Sequence, residues 1–151
     1  MNEILDSLRS PVLLAATVTA GLQAGTYYTW ATGVMPGLAR TDDHSFTSSM
    51  NHINVAIVNP VFMLTFLGAP ALAAAAVVTS SPSVRGWAVA GLALTLGTVV
   101  VTAVGNIPLN NALADGGSRA AFETTWVRWN VARTLTSTGA LASLAWTAIR
   151  S

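Results

Sequence analysis

Residues 84–104 read VRGWAVAGLALTLGTVVVTAV, a nearly unbroken run of Ala, Val, Leu, Gly and Thr with its single charge at Arg85. A run of this length matches the roughly 20 apolar residues that an α-helix needs to cross a bilayer. Working outward, the formal charges fall in few places. Uncharged stretches separate Arg9 from Arg40, Asp43 from Arg85, Arg85 from Asp115, and Arg133 from Arg150. The first three exceed a spanning length, and the last reaches it if its helix begins in the polar stretch at Ser118.

Composition says the same. Over 151 residues, 52% are hydrophobic and only 9% charged, with a mean hydropathy of +0.57. Soluble domains carry roughly 25% charged residues. Too few polar residues are present to cover the surface of a soluble domain, so an integral membrane protein is expected. Net charge is +1, lysine is absent and the arginines are scattered, which excludes a basic surface able to neutralise nucleic-acid phosphates. With no cysteine, disulfide chemistry is excluded, and with it the quinone-linked thiol oxidoreductases, another class of small helical membrane protein.

The segment starting at Pro11 is read as a first transmembrane helix and not as a cleaved signal, because the residues before it are not basic and hydrophobicity continues past Ala20. Pro11 suits a first helical turn, and Pro36-Gly37 supplies a stop after Met35. Arg40 to Ser45 is a polar turn, with Asp42 and Asp43 in water as turn and N-cap residues. A second helix runs from Phe46 to Thr79 with a kink at Asn59-Pro60. After the Ser80–Ser83 turn, the third helix covers Val84–Val104 and ends at Gly105-Asn106-Ile107-Pro108. Leu109 to Gly117 then connects to a fourth helix over Ser118–Ile149. No internal repeat is evident, so residues 1–151 are expected to form one all-α domain. Its fold is a four-helix transmembrane bundle running up-down-up-down. Gly21-x-x-x-Gly25 and the alanines from Ala71 to Ala76 read as surfaces for close helix packing.

That topology gathers the polar residues at one end. His44, Asn51, His52, Asn54 and Asn59 come from the second helix, Asn106, Asn110 and Asn111 follow the third, and Glu123, Arg128, Asn130 and Arg133 lie on the fourth. Such groups are costly unpaired in hydrocarbon, so a shared pocket toward one membrane face is expected. At about 100° per residue, Glu123, Trp126, Asn130, Arg133 and Thr134 share a face of the fourth helix and Arg128 points away. Gln23, Tyr27 and Trp30 align on the first helix. Glu123 and Arg133 stand ~15 Å apart along the axis, so each needs another partner.

The motifs Gly21-Leu22-Gln23-Ala24-Gly25-Thr26-Tyr27-Tyr28, Val34-Met35-Pro36-Gly37-Leu38, Asp42-Asp43, Ile53-Asn54, Asn59-Pro60, Asn106-Ile107-Pro108-Leu109-Asn110, Phe122-Glu123, Trp126, Arg128-Trp129-Asn130 and Arg133-Thr134 resemble those of the DUF1772 family of small membrane proteins, which includes the anthrone oxygenase-like proteins. His44 and His52 depart from that pattern. The resemblance implies oxidation of an anthrone-type aromatic polyketide to a quinone with dioxygen, without metal or flavin. Such a reaction requires a base, donors for a phenolate oxygen, a flat apolar slot and access for oxygen.

Glu123 or His52 is the candidate base, and Asn54, Asn130 and Arg133 are candidates to stabilise the anion. Gln23, Tyr27, Trp30, Asn59, Asn106, Asn110, Trp126 and Trp129 are the candidate substrate-binding residues. The plainer alternative has the asparagines holding helix ends, the tryptophans forming an interfacial belt and Glu123 in a structural ion pair. No cofactor is expected. A metal site would have to draw on His44, His52, Asp42 and Glu123, which lack ligand spacing on any one helix. The expected partners are a lipophilic small molecule, dioxygen and membrane lipid, with a homo-oligomer left open. The place is the cytoplasmic membrane of a bacterium, and Arg9, Arg85 and Arg150 favour cytoplasmic termini. The competing class is a non-catalytic membrane accessory or small-molecule binder, or an isomerase or cyclase using the same pocket.

Overall fold

The computed structural model describes residues 3–151, and its regular structure is entirely helical among them. Helix α1 spans Glu3–Thr29 and continues through a π-helical segment, Trp30–Val34, into the short α2, Met35–Leu38. Helices α3, Asp43–Ala56, and α4, Pro60–Thr79, follow. Helix α5, Arg85–Val101, passes through a second π-helical segment, Thr102–Asn106, into α6, Ile107–Ala114, and α7, Arg119–Arg150, completes the fold.

Helix α1 packs against α4 and α7, and α5 packs against the same pair, so the long helices close a ring. Neighbours in that ring run antiparallel. Arg9 Nε donates to the Thr79 carbonyl at 2.9 Å while Gln23 Nε2 donates to Thr65 Oγ1 at 3.0 Å, so α1 and α4 are matched start to end. Thr98 and Thr136 hydroxyls meet at 2.7 Å and Gly91 lies against Leu144, which orders α5 and α7 in the same way.

Each long helix buries one stripe. On α7 it is Phe122, Trp126, Asn130, Arg133, Ser137, Ala140, Leu144 and Thr147, spaced by three and four residues as a helix of 3.6 residues per turn requires. The far side stays apolar yet open: Val61 is 75% exposed, Leu64 74% and Leu135 69%. Two continuous helical stretches, Pro60–Thr79 and Arg85–Ala114, are long and apolar enough to cross a membrane. Hydroxyl groups within these apolar helices are satisfied locally, as Thr79 Oγ1 on the Ala75 carbonyl and Thr95 Oγ1 on the Gly91 carbonyl illustrate.

The core differs at its two ends. Leu13, Ala16, Ala20, Ala73, Ala76 and Leu144 fill one end with small side chains that bring the helices close. Trp30, Met35, Phe46, Met50, Leu113, Phe122 and Trp126 fill the other, where bulk holds the helices apart.

The boundaries at prolines differ from the expected ones. Helix α1 begins at Glu3, with Glu3 and Asp6 favourably placed in its first turn, so Pro11 lies inside it. Pro36 does not stop the first helix, nor does Pro108 stop the third. Met35 N–H bonds to the Trp30 carbonyl and Ile107 N–H to the Thr102 carbonyl, a five-residue step. That wider turn shifts the carbonyl ladder just ahead of each proline, where the ring would otherwise crowd the carbonyl of Thr32 or Val104. Leu109–Ala114 is therefore helix and not connection.

At Asn59-Pro60 the expected kink is a full break. A residue before proline is pushed to extended backbone, and Asn59 (φ −118°, ψ 161°) turns its side-chain oxygen to accept from Val61 and Phe62 N–H, starting α4 anew. The cap at Asp42 lies where the pattern put it, and Ser118, read as the start of the fourth helix, caps α7. Ser45 N–H and Oγ–H both donate to the Asp42 carboxylate, which holds its pKa below the usual value. Gly21 touches only Leu141 and Gly25 meets no other helix, so this pair makes no close crossing within the chain.

The two halves follow one order: long helix, π segment, proline-bearing short helix, turn, capped helix. Trp30-Ala31-Thr32-Gly33-Val34-Met35-Pro36 corresponds to Thr102-Ala103-Val104-Gly105-Asn106-Ile107-Pro108, and Phe46, Met50 and Asn54 to Phe122, Trp126 and Asn130. A short repeated order is therefore present where none was expected. Asp43 and Arg119, and Phe46 and Phe122, are matched positions that touch each other, the first pair as an ion pair and the second edge to face.

Candidate functional site

At the aromatic end the separation of the helices leaves a cavity of about 250 Å³, close to the ~300 Å³ where ligand-sized pockets begin. Both π segments contribute to its wall, Trp30 from the first and Thr102 and Asn106 from the second, with Ile107 and Asn110 following on α6. π-helical turns often stand at functional sites because they re-aim side chains that an α-helix would stagger differently. Trp126 and Arg133 come from α7, Asn54 from α3, and Phe62, Met63 and Phe66 from the start of α4.

Arg133 governs the electrostatics of this space. It is 7% exposed, with its guanidinium 4.5 Å from the centre of the Tyr27 ring and 5.2 Å from that of Trp126. One terminal nitrogen donates to Asn130 Oδ1 at 2.8 Å, while Nε is buried without a partner. Among the described residues no carboxylate pairs with it. Cation–π contacts and one neutral acceptor compensate only part of the cost of burying a full charge.

Asn130 fixes that arginine by donating its own Nδ2–H to the Tyr27 carbonyl at 3.1 Å, which ties α7 to α1 just before the first π segment. Trp30 and Trp126 lie 5.1 Å apart between ring centres, tilted by 54°. Trp126 Nε1 donates to Asn110 Oδ1 at 2.8 Å. Asn106 Nδ2 donates to the Trp126 carbonyl at 3.3 Å and leaves Oδ1 buried without a partner. Asn54 Nδ2 is likewise buried and unpartnered. The cavity thus offers one cation, a free amide donor on Asn54, a free amide acceptor on Asn106 and flat aromatic walls.

Of the candidates named from sequence, Tyr27, Trp30, Asn54, Asn106, Asn110, Trp126 and Arg133 line this cavity, and Asn130 stands directly behind it. Gln23 is one step removed, accepting from the Tyr27 hydroxyl at 2.7 Å. Trp129 packs on Gly105 behind the second π segment. Asn59 is spent on capping α4.

The two candidate bases lie elsewhere. His52 is exposed, its Nδ1–H on the Ser48 carbonyl at 2.7 Å, beside a shallow groove with Asn51. Glu123 accepts from Arg119 Nε at 2.7 Å. Arg119 also donates to the Thr41 and Ala39 carbonyls and to Asp43, and lies 4.4 Å from the centre of the Phe46 ring. Its hydrogen bond to Glu123 raises its pKa further. This cluster fastens the turn before α3 to the first turn of α7, and Glu123 finds its partner on its own helix, as the plainer reading of a structural ion pair had it. His44, His52, Asp42 and Glu123 do not converge: no group of three or more His, Cys, Asp or Glu able to hold a metal occurs among the described residues.

Sequence reasoning missed Phe62, Met63 and Phe66. Phe62 and Phe66 are four residues apart, so they share a helix face, and their rings stack at 5.7 Å between centres. Their position one turn after a capped Asn-Pro break was the available signal.

No characterised protein and no solved structure matches this chain significantly. The family model described as anthrone oxygenase matches residues 51–143, more than half of the chain. That segment carries the cavity residues from Asn54 through Arg133, with Thr26, Tyr27 and Trp30 outside it. The cavity walls and the matched segment coincide from α3 to α7, and the chain belongs to the anthrone oxygenase family.

Proposed function

We propose that this protein is a four-helix transmembrane bundle, up-down-up-down in the cytoplasmic membrane of a bacterium, that oxidises a lipophilic anthrone-type polyketide with dioxygen. The membrane reading is supported by the two long apolar stretches and by large apolar side chains left exposed along the helices, such as Val61, Leu64, Val100 and Leu135. The cavity is near the end where Arg40, Asp42, Asp43, Asp115 and Arg119 collect, toward one membrane face. Its wall includes the exposed Val58 (68%) and Ile107 (45%), so a substrate dissolved in lipid has a lateral way in.

The observation that carries the chemistry is Arg133, a buried cation without a carboxylate, on the wall of an aromatic cavity. An anthrone is acidic at its doubly benzylic CH₂, and the charge of its anion rests on the ring oxygen. An oxyanion about 4 Å from the guanidinium gains ~4 kcal/mol at an effective dielectric constant of ~20, roughly three pKa units. Arg133 therefore favours the anion, with Asn54 Nδ2–H as a further donor to it and Asn106 Oδ1 placed to accept from a substrate hydroxyl. Tyr27 and Arg133 are the ionisable side chains on the wall, so the proton passes to water at the cavity mouth and not to Glu123 or His52.

The bound anion then gives one electron to O₂. The resulting radical and superoxide join at the same carbon, protonation yields a hydroperoxide, and loss of water leaves a second carbonyl. One O₂ is consumed and one water released for each CH₂ converted to C=O. The anion itself is the reductant, which is why no cofactor enters this reading.

The test is oxygen uptake by the detergent-purified protein with a hydroxylated anthrone, repeated with Arg133→Met. Uptake with quinone formation, lost in a folded variant, supports the reading. Equal rates in both proteins, or no uptake in either, overturn it.

A further inference from the structure

One helical turn further from the aromatic end is a second, much smaller void. Space for the centre of a water-sized sphere amounts there to about 10 Å³, the least that a single water-sized molecule requires. Gln23, Thr98 and Ser137 on its wall each precede or follow by four residues a cavity residue on the same helix, Tyr27, Thr102 and Arg133. The two spaces are thus separated by ~5.4 Å along the helix axes, and Phe66 is common to both.

The hydroxyl hydrogens on this wall are all engaged. Thr95 Oγ1 donates to the Gly91 carbonyl, Thr98 Oγ1 to the Leu94 carbonyl, and Ser137 Oγ to the Arg133 carbonyl. The Gln23 amide gives Nε2–H to Thr65 and accepts from Tyr27. A buried water needs two to four polar partners, and here the oxygens are turned toward their own backbones and the surface left open is almost wholly carbon, from side chains such as Ala20, Phe66, Ala69, Val99 and Ala140. The void therefore selects a small apolar molecule over water.

We infer that this void is a binding site for dioxygen, holding the gas one turn from the substrate cavity. The role in turnover rests on the oxygenase reading above; occupancy by a small apolar gas does not. Dioxygen favours hydrocarbon over water for the same reason that apolar surface does, and Phe66 is the one side chain between the two spaces on α4.

Xenon, an apolar gas atom, is the probe, with ¹²⁹Xe NMR of the detergent-solubilised full chain. Wild-type protein is expected to give a bound-xenon shift that is lost in Ala69→Leu, which fills the void from α4. Ala140→Leu fills it from α7 and serves if the first variant does not fold. In oxygen-uptake assays the filled variant is expected to raise the KM for O₂ by about threefold or more while the KM for the anthrone is unchanged. Bound xenon in a wild type that oxidises no anthrone would overturn the oxygenase reading and leave the gas site standing. No bound xenon, or the same shift in both filled variants, or an unchanged KM for O₂ in a filled variant that turns over, would overturn the gas site.

Discussion

Arg133 lies across the face of Tyr27, its guanidinium carbon 4.5 Å from the ring centre, and Asn130 holds both partners, accepting from the arginine and donating to the Tyr27 carbonyl. The cation is thereby aimed before any substrate arrives, which is the arrangement that makes electrostatic stabilisation effective.

Replacing Arg133 by Met is expected to lower kcat/KM for an anthrone by at least ~100-fold, the scale on which single oxyanion donors act. Arg133→Lys keeps the charge but loses the planar fork and should fall between. The sign of the pH effect follows from the charge. Without the cation the bound substrate ionises less readily, so the rising limb of the rate–pH profile moves to higher pH in Arg133→Met. A profile that keeps its position would mean that the arginine acts on packing alone.

Glu123 is the most conspicuous acid on α7, yet its carboxylate is bound to Arg119 at 2.7 Å. Glu123→Gln should leave the anthrone oxidation rate within about threefold of wild type, because an amide still accepts from the guanidinium. Arg119→Ala removes the bonds to Ala39, Thr41, Asp43 and Glu123 together, and is expected to lower the melting temperature in detergent clearly more than Glu123→Gln does. Loss of turnover in folded Glu123→Gln would restore it as the base.

Asn59 separates two roles by the choice of replacement. Its side-chain oxygen caps α4 through Val61 and Phe62 N–H. Asn59→Ala should cost about 1 kcal/mol of stability, and Asn59→Asp, an equally good cap, should restore stability and turnover alike. If the Asp variant is stable but inactive, Asn59 contacts substrate as first expected.

The apolar runs, the cap at Asp42, the start of the fourth helix at Ser118, and the inward face of α7 from Trp126 to Arg133 were legible because each depends on local periodicity or on one side chain and the next turn. The π segments were not. Pro36 and Pro108 read as stops, since a proline crowds the carbonyl four residues back in any regular helix. Whether the chain ends its helix there or widens by one residue depends on tertiary partners such as Asn130 and Asn106, which bond carbonyls on the opposite helix. An ion pair of Glu123 was among the readings of the sequence, but which arginine makes it was missed for a related reason. Its neighbour at four residues, Arg119, was visible in the sequence, but the backbone carbonyls of Ala39 and Thr41 that orient that arginine were not. For the cavity, seven of the named side chains line it, while Phe62 and Phe66 went unnoticed as ordinary apolar residues.

Matched glycines in the two π segments allow the packing around the site to be tested with an internal control. A Cβ on Gly105 would stand 2.4 Å from Trp129 Cδ2 and 2.5 Å from its Cγ, closer than any real contact, against a rigid indole between helices. Gly33 holds the corresponding place in the first segment, and a Cβ there meets nothing within 4 Å. Gly105→Ala is therefore expected to destabilise the protein by ~1–3 kcal/mol, as overpacking does. It should also disturb Asn106, the next residue, whose amide bonds the Trp126 carbonyl on the cavity wall. Gly33→Ala should leave stability and turnover close to wild type. Thermal unfolding in detergent together with steady-state oxygen uptake measures both. If the two variants behave alike, the close approach of Gly105 to Trp129 does not govern the second π segment.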